Sequence, residues 1–559
     1  MAAAQELRVP VIPVDFSDVH FAGGPAELDP LLSAASDYFN SQPCCKEQIR
    51  FVAAPPVRLP GTLAHYGANG AGGRDSGLGE AVQKSCRQAA EDGFDFRSFD
   101  CDNDGTIDNI CFLFAGYAES DGKGEEYFHP CQTLLSKYVS AFMIQGKKVE
   151  SITVSTEKGP DGQSFADLGT FVHEYAHVLG LPDLYDTDGE LSGGVSKALW
   201  KSLSLMDGGL RNDCGHTPPF LCAVELDALG STVTEPLAAG HYSLAPLSRG
   251  GKCLYYDGPT SGERYLFECR DNSSRDSFCG TRGLIVYKVD RTELDAGYSD
   301  YFKLTLTALE RWERNEVNCR PDCSCATVVP ARPDAGETAH LAWPQEGCRV
   351  LSAASDPSFS FRDGTPSPLA LRAISLQADG CVEFDVVEPV VFSKPIVYQD
   401  GVLAKWTVAA ELGRVEECEV RVSGELVGRV VPVHGGECEL SVCGLKAGTD
   451  YDLDVSFVTE SGEPFLARMP FRTRRVSDGM PPFILLPSGS RLKDGSFLRD
   501  TAIPLRICNL GDVERIEWSF EGEKISGGSL TLSRTGYLKA EVWDAVGGKV
   551  ILLKKIYVK

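Results

Sequence analysis

Two histidines four residues apart, with a glutamate beside the first, stand in the segment FVHEYAHVLGLPDLYD, Phe171 to Asp186. Residues four apart share one face of a helix, so His173 and His177 can aim their ring nitrogens at one ion. Glu174 is one step round from His173. There it can reach water at that ion without being a ligand, the placement a general base requires. A third ligand cannot come from the same straight face at close spacing. Gly180 permits the left-handed conformation that ends a helix, Pro182 keeps the helix from resuming, and Asp183 can then return to the ion. The order His, Glu, His, Gly, Asp is what one helix and one turn need to build an open three-ligand site. Two imidazoles and a carboxylate suit zinc. The competing readings are a core helix with incidental histidines and a zinc site that has lost activity; the presence of Glu174 weighs against the second.

A second polar stretch, DCDNDGTID, sets Asp100, Asp102, Asp104, Gly105 and Asp108 at positions 1, 3, 5, 6 and 9 of an EF-hand-like loop. Cys111 occupies position 12, where the bidentate glutamate belongs, and a strand-like run follows. It is therefore no true EF-hand. Structural calcium is expected there, protecting a loop of the catalytic domain from self-digestion, with a solvated Asx turn as the alternative. His129 and His216 are candidates for lining the cleft, against structural or surface roles. Asp186 to Gly194 (DTDGELSGG) is either a loop beside the cleft or a second calcium loop.

These groups need elements to hold them. Val9 to Asp18 and Asn109 to Gly116 are apolar runs that predict buried strands, and Val149 to Glu157 alternates like an edge strand. Glu27 to Gln42 and Gly77 to Gly93 carry apolar residues at helical spacing, the second closing on Gly93. Strands alternating with helices predict an α/β layer domain over residues 1–240. Beyond it helical signals largely stop. Arg264 to Arg270, Arg282 to Asp290 and Lys303 to Glu310 predict strands of a β-rich section, 241–390, integral to the same region.

From 391 to 475, Trp406 in an early strand and Tyr451 after GLKAGTD read as a sandwich with a tyrosine corner, and this stretch resembles a fibronectin type III domain. Residues 476–559 alternate again and predict an Ig-like sandwich with Trp518 as a core candidate. The fold class expected is thus multidomain: an α/β metzincin-like zinc peptidase domain, a β-rich region and two β-sandwiches.

The motif His173-Glu174-x-x-His177-x-x-Gly180-x-x-Asp183 is similar to that of metzincin-like peptidases, with Asp in place of the usual third His. The fuller HEYAHVLGLPDLYD resembles the immune inhibitor A family of secreted bacterial metallopeptidases. VIPVDFSDVHF, FDCDNDGTIDNICFLFAG and GERYLFECRDNSSRDSFCGTRGLIVYKVD extend the likeness across residues 8–390. The resemblance implies a methionine-bearing turn beneath the metal, and Met206 in WKSLSLMDGG fits it as a packing residue, ordinary core being the alternative. Ala176 stands where Gly is commoner, a change that favours helix. The function implied is a secreted or cell-surface zinc endopeptidase, monomeric, acting on proteins or peptides that could include host glycoproteins. The strand 149–157 is expected to pair with an extended substrate. A surface binding protein with an inactive zinc domain, or an amide or ester hydrolase on the same site, are the alternatives.

Bulk properties agree with a soluble multidomain chain. It has 559 residues, 43% hydrophobic and 24% charged. The formal net charge of -25 argues against a nucleic-acid partner. No apolar run is long enough for a transmembrane segment. The start, MAAAQELRVPVIPVDF, enters a strand almost at once, which suggests a trimmed signal or pro-segment. Twenty cysteines fit either secreted disulfides or buried thiols. Cys44-Cys45 and the cluster Cys319, Cys323, Cys325 are the ones expected to be paired or metal-bound.

Overall fold

Odd and even residues of the first strand, Glu6–Asp15, serve two different cores. Val9 and Val11 face a core built with the helix Leu28–Asn40, while Ile12 and Val14 face one built with the helix Leu78–Glu91. Strand side chains alternate between faces, so a strand apolar at every position from Val9 to Val14 belongs in the middle of a sheet covered on both sides. In this computed structural model the strand lies there. The sheet order is 48–53, 6–15, 110–114, 151–156, 131–134. All pairs are parallel except the last, which is antiparallel. The structure describes residues 6–22, 27–42, 48–70, 75–196, 201–231, 233–333, 340–433, 436–475, 481–487, 490–492, 494–510, 513–544 and 547–559. Cys44 and Cys45 lie outside them.

The strand Ser151–Thr156 is not at the sheet edge, as its alternation suggested. It pairs with Ile110–Phe114 on one side and Cys131–Leu134 on the other, and five of its six residues are buried. Its polar positions are small, and the Ser151 and Thr153 hydroxyls are bonded internally: Ser151 accepts from Asn109 Nδ2 at 2.9 Å and Thr153 donates to Asn109 Oδ1 at 3.1 Å. That internal bonding lets an alternating strand sit inside. The edge beside it is Cys131–Leu134.

Contacts divide the chain into two compact units, the first comprising residues 1–237, 242–349 and 374–383. In that unit a second sheet runs 234–236, 253–257, 263–270, 283–290, 326–328. Its Leu266, Ile285, Tyr287 and Val289 join the core that also holds Phe171, Val172 and Met206. The expected strand 303–310 is half helix: Leu304–Thr307 is a strand and Ala308–Glu313 a helix. Thr307 accepts from the Glu310 N–H at 3.2 Å while Glu310 accepts from the Thr307 N–H at 2.8 Å, a capping box that starts the helix.

The second unit holds two sets of β-strands. Around Trp406 (1% exposed), Val420, Leu453 and Phe465, one sheet of strands 390–392, 396–397, 401–408 and 437–443 faces another of 418–422, 425–430, 450–458 and 464–472. The Lys446 N–H donates to the Tyr451 hydroxyl at 2.9 Å, closing a tyrosine corner. The last strands bury Ile503, Leu532, Leu538 and Ala540. Trp518 is only partly buried against that core; Phe520 is the buried aromatic of its strand, Val513–Phe520.

Candidate metal centre

The helix Leu168–Val178 begins at Asp167, whose carboxylate accepts from the Thr170 N–H at 3.0 Å. It is buried from Leu168 to Ala176, packed on the strands 151–156 and 131–134. It ends in a Schellman turn. The Gly180 N–H donates to His177 O at 3.0 Å and the Leu181 N–H to Ala176 O at 3.2 Å, with Gly180 at φ +102°. A Cβ on Gly180 would meet nothing within 4 Å. Glycine is required there by the backbone angle alone.

That turn brings Asp183 back over the helix. Its Oδ1 lies 3.2 Å from His173 Nε2 and 3.4 Å from His177 Nε2. The three side chains offer ligand atoms all within 4.8 Å of one another, so they could hold a metal ion. Both imidazoles have their other nitrogen occupied. His173 Nδ1 is 3.0 Å from Leu205 O and His177 Nδ1 is 2.7 Å from Leu181 O. With Nδ1 donating to a carbonyl, the neutral form of each ring carries its lone pair on Nε2, the nitrogen that faces Asp183. Asp183 Oδ1 is buried and completes no hydrogen bond. A buried carboxylate oxygen left unsatisfied is costly, and a cation among the three would satisfy it. Two imidazole nitrogens and one carboxylate oxygen suit zinc or a similar transition ion.

The electrostatics of the pocket point the same way. Burial lowers His173, but Asp183 and Glu174 outweigh it and raise it to about 9. Burial alone would lift the Asp183 carboxyl; the facing imidazoles hold it well below the carboxylate range. The site draws positive charge. Glu174, 7% exposed, is pushed up by burial, with His173 and His177 opposing. Tyr185 lies nearly parallel to His173, ring centroids 6.5 Å apart.

Met206 is fully buried in the core that also holds Phe171 and Val172 of the helix, and its carbonyl accepts from the Leu184 N–H at 2.8 Å. Its backbone therefore holds the chain next to Asp183. Three groups that the sequence reading missed complete the surroundings. Glu225 accepts from the Met206 N–H at 2.9 Å, the Ser204 hydroxyl at 2.6 Å and the Cys222 N–H at 2.6 Å. Asn315 bonds Asp183 twice, and Asn318 donates to Leu184 O at 2.8 Å. The capping box T-x-x-E at Thr307 could have located the helix before Asn315; nothing local connects Asn315 to Asp183.

Asp100, Asp102 and Asp104 converge within 4.8 Å. Asp100 Oδ1 is buried without a hydrogen bond, whereas its Oδ2 meets the Lys147 ammonium and the Gly105 N–H. Asp108 turns aside to accept from the Cys101 N–H at 3.1 Å. Asp186 accepts from the Asp188, Gly189 and Ser196 N–H groups, and with Asp188 and buried Cys319 forms another converging group. His129 sits 3.5 Å from Glu119 and is close enough to Glu174 to act on it electrostatically. His216 Nε2 pairs with Asp161 at 3.1 Å, partly exposed.

Comparison with known proteins bears on residues 15–216, which match the family described as immune inhibitor A peptidase M6, catalytic domain. Immune inhibitor A of Bacillus thuringiensis subsp. alesti is 29% identical over 185 residues, covering 27% of this chain. The aligned part is about a quarter (25%) of that relative's length. Among solved structures, the Clostridium thermocellum CbhA fibronectin(III)-like modules are 13% identical, covering 30% of this chain and 94% of that one, at a TM-score of 0.14. The central fibronectin-III array of RIM-binding protein is 11% identical, covering 30% and 68%, at 0.13. At such scores these likenesses carry no argument.

Proposed function

We propose that residues 15–216, which match the immune inhibitor A peptidase M6 catalytic domain, are a metallopeptidase domain and that the chain is a secreted zinc endopeptidase acting on extracellular proteins. The observation that carries the reading is the convergence of His173, His177 and Asp183 around a buried, unbonded carboxylate oxygen. These three hold the zinc. When bound, the ion supplies Lewis acidity to water and to the scissile carbonyl. Glu174 takes a proton from the attacking water and returns it to the leaving amine. Leu205 O and Leu181 O fix the two imidazole tautomers. An extended substrate pairs with the strand Cys131–Leu134, the outermost neighbour of the buried strand 151–156.

The reading carries the four-part organisation with it: a metzincin-like catalytic domain to residue 240, a β-rich section to 390, and sandwiches over 391–475 and 476–559. Structural calcium at Asp100, Asp102 and Asp104 belongs to it as well, with Lys147 as the competing charge. No helix among the described residues is long and apolar enough to cross a membrane.

The test is zinc content and casein hydrolysis of the purified chain, with and without 1,10-phenanthroline. One zinc per chain and hydrolysis lost on chelation are expected. Hydrolysis indifferent to the chelator, or a zinc-free active protein, overturns the proposal.

A further inference from the structure

Asn315 sits 132 residues from Asp183 along the chain, outside the segment that matches the peptidase family. Locally it has an ordinary task. It follows the helix Ala308–Glu313 in the left-handed conformation, φ +59°, and the Glu316 N–H returns to Arg311 O at 2.9 Å. This is the C′ position of a Schellman turn, which glycine fills at no steric cost. Capping therefore explains the backbone and leaves the side chain unexplained.

The side chain makes a two-point clamp on one residue. Asn315 Oδ1 accepts from the Asp183 N–H at 2.6 Å, and Asn315 Nδ2 donates to Asp183 Oδ2 at 2.7 Å. A carboxamide supplies an acceptor and a donor on one rigid plane; neither a carboxylate nor an aliphatic group does both. The clamp has a chemical consequence. With Oδ2 engaged, Asp183 offers only Oδ1 to the imidazoles, the oxygen that completes no hydrogen bond. The anchor itself is rigid. Arg311, fully buried, binds Ala296 O, Gly297 O and Glu316, and Glu316 also accepts from the Ser299 hydroxyl at 2.8 Å. Thr187 reaches Asn315 O at 2.7 Å, tying the far side of the same turn.

We propose that Asn315 is a positioning residue of the metal centre, holding Asp183 as a one-oxygen ligand and so keeping a coordination position open for water. The inference rests on the metal-site reading above. It makes the segment around residue 315 part of the catalytic apparatus, which thus extends beyond residue 216.

The test compares the full chain with Asn315→Asp and Asn315→Gly. Both tolerate the positive φ. The first keeps the acceptor for the Asp183 N–H but sets a carboxylate against Oδ2; the second removes both contacts. Zinc affinity is read by competition with a chromophoric chelator, ligand geometry by the visible absorption of the cobalt(II)-substituted protein, and folding by the melting temperature of the metal-free protein. A loss of about 10–100-fold in zinc affinity is expected, the range for outer partners of metal ligands. It should come with an altered cobalt spectrum, and at least one variant should retain the apoprotein melting temperature. If a folded variant binds zinc within about twofold of wild type and its cobalt spectrum is unchanged, the positioning role is wrong while the metal site stands. If wild type itself binds no zinc, the metal-site reading fails and takes this inference with it.

Discussion

Glu225 and His173 are joined through a single peptide group. The Met206 N–H donates to Glu225 Oε1 at 2.9 Å, and the carbonyl on the other side of that peptide, Leu205 O, receives His173 Nδ1 at 3.0 Å. The carboxylate polarises the peptide, and the peptide sets the tautomer and tilt of the imidazole, a carboxylate–histidine pairing with one amide inserted. Glu225 is 1% exposed and burial pushes its carboxyl up, opposed by the Ser204 hydroxyl and the N–H groups of Met206 and Cys222. Glu225→Ala strands those donors in the core. A destabilisation of about 2–4 kcal/mol is expected, with zinc affinity falling as His173 loses its fixed partner. Denaturant melts and chelator competition measure the two effects; a variant as stable and as tight as wild type removes Glu225 from this account.

Close approach of backbone explains Gly169. It lies in the first turn of the site helix, and a Cβ there would stand 1.9 Å from Leu210 O and 3.2 Å from Gly215 O. Glycine to alanine in an open helix gains about 1 kcal/mol. Here a rigid carbonyl must move instead, and overpacking costs about 1–3 kcal/mol or more. Gly169→Ala should therefore lower the melting temperature. An increase would mean that the segment Gly208–Gly215 yields easily and does not brace the helix.

The sequence made the site legible where its parts are local. Four groups from His173 to Asp183 fall within one helix and one turn, so spacing alone predicts that they meet. Glu225 and Asn315 were invisible for the opposite reason, because folding brings them in from other segments. The strand 151–156 was misplaced because alternation reports polarity by face, and Thr153 can be both polar and buried once Asn109 accepts its hydroxyl. The helix before Asn315 was overlooked although its capping box was in the text, since the apolar run KLTLTAL was read by composition ahead of its cap.

A pH signature is built into Asp75. It is 4% exposed; its Oδ2 accepts from the His129 N–H at 3.3 Å and its Oδ1 is buried without a partner. Burial, with Glu119 adding, pushes its carboxyl up to about 7 despite the His129 bond. An acid whose folded value exceeds its unfolded one disfavours the fold once ionised. Its penalty is absent below about pH 4, grows as pH rises toward 7 and is constant above. Asp75→Asn should thus match wild type near pH 4 and exceed it at pH 8, by on the order of 2 kcal/mol. Melting curves across this range read it directly, and a stability difference that does not change with pH contradicts the assignment.

Glu174 carries the proton transfer in the proposed mechanism without touching the metal-holding set, and that separation can be measured. Its buried carboxyl is raised by burial and steadied by His173 and His177, which suits a group that must accept a proton and give it up within one turnover. Glu174→Ala leaves the two imidazoles and Asp183 in place. Zinc stoichiometry should be that of wild type, the metal-free melting temperature should not fall, and kcat on denatured casein should drop by about 10²–10⁴-fold or more. Rates equal to wild type would mean that another group takes the proton, His129, which acts electrostatically on Glu174 from outside the metal-holding set, being one candidate. Loss of zinc in step with activity would instead place Glu174 among the groups that hold the ion.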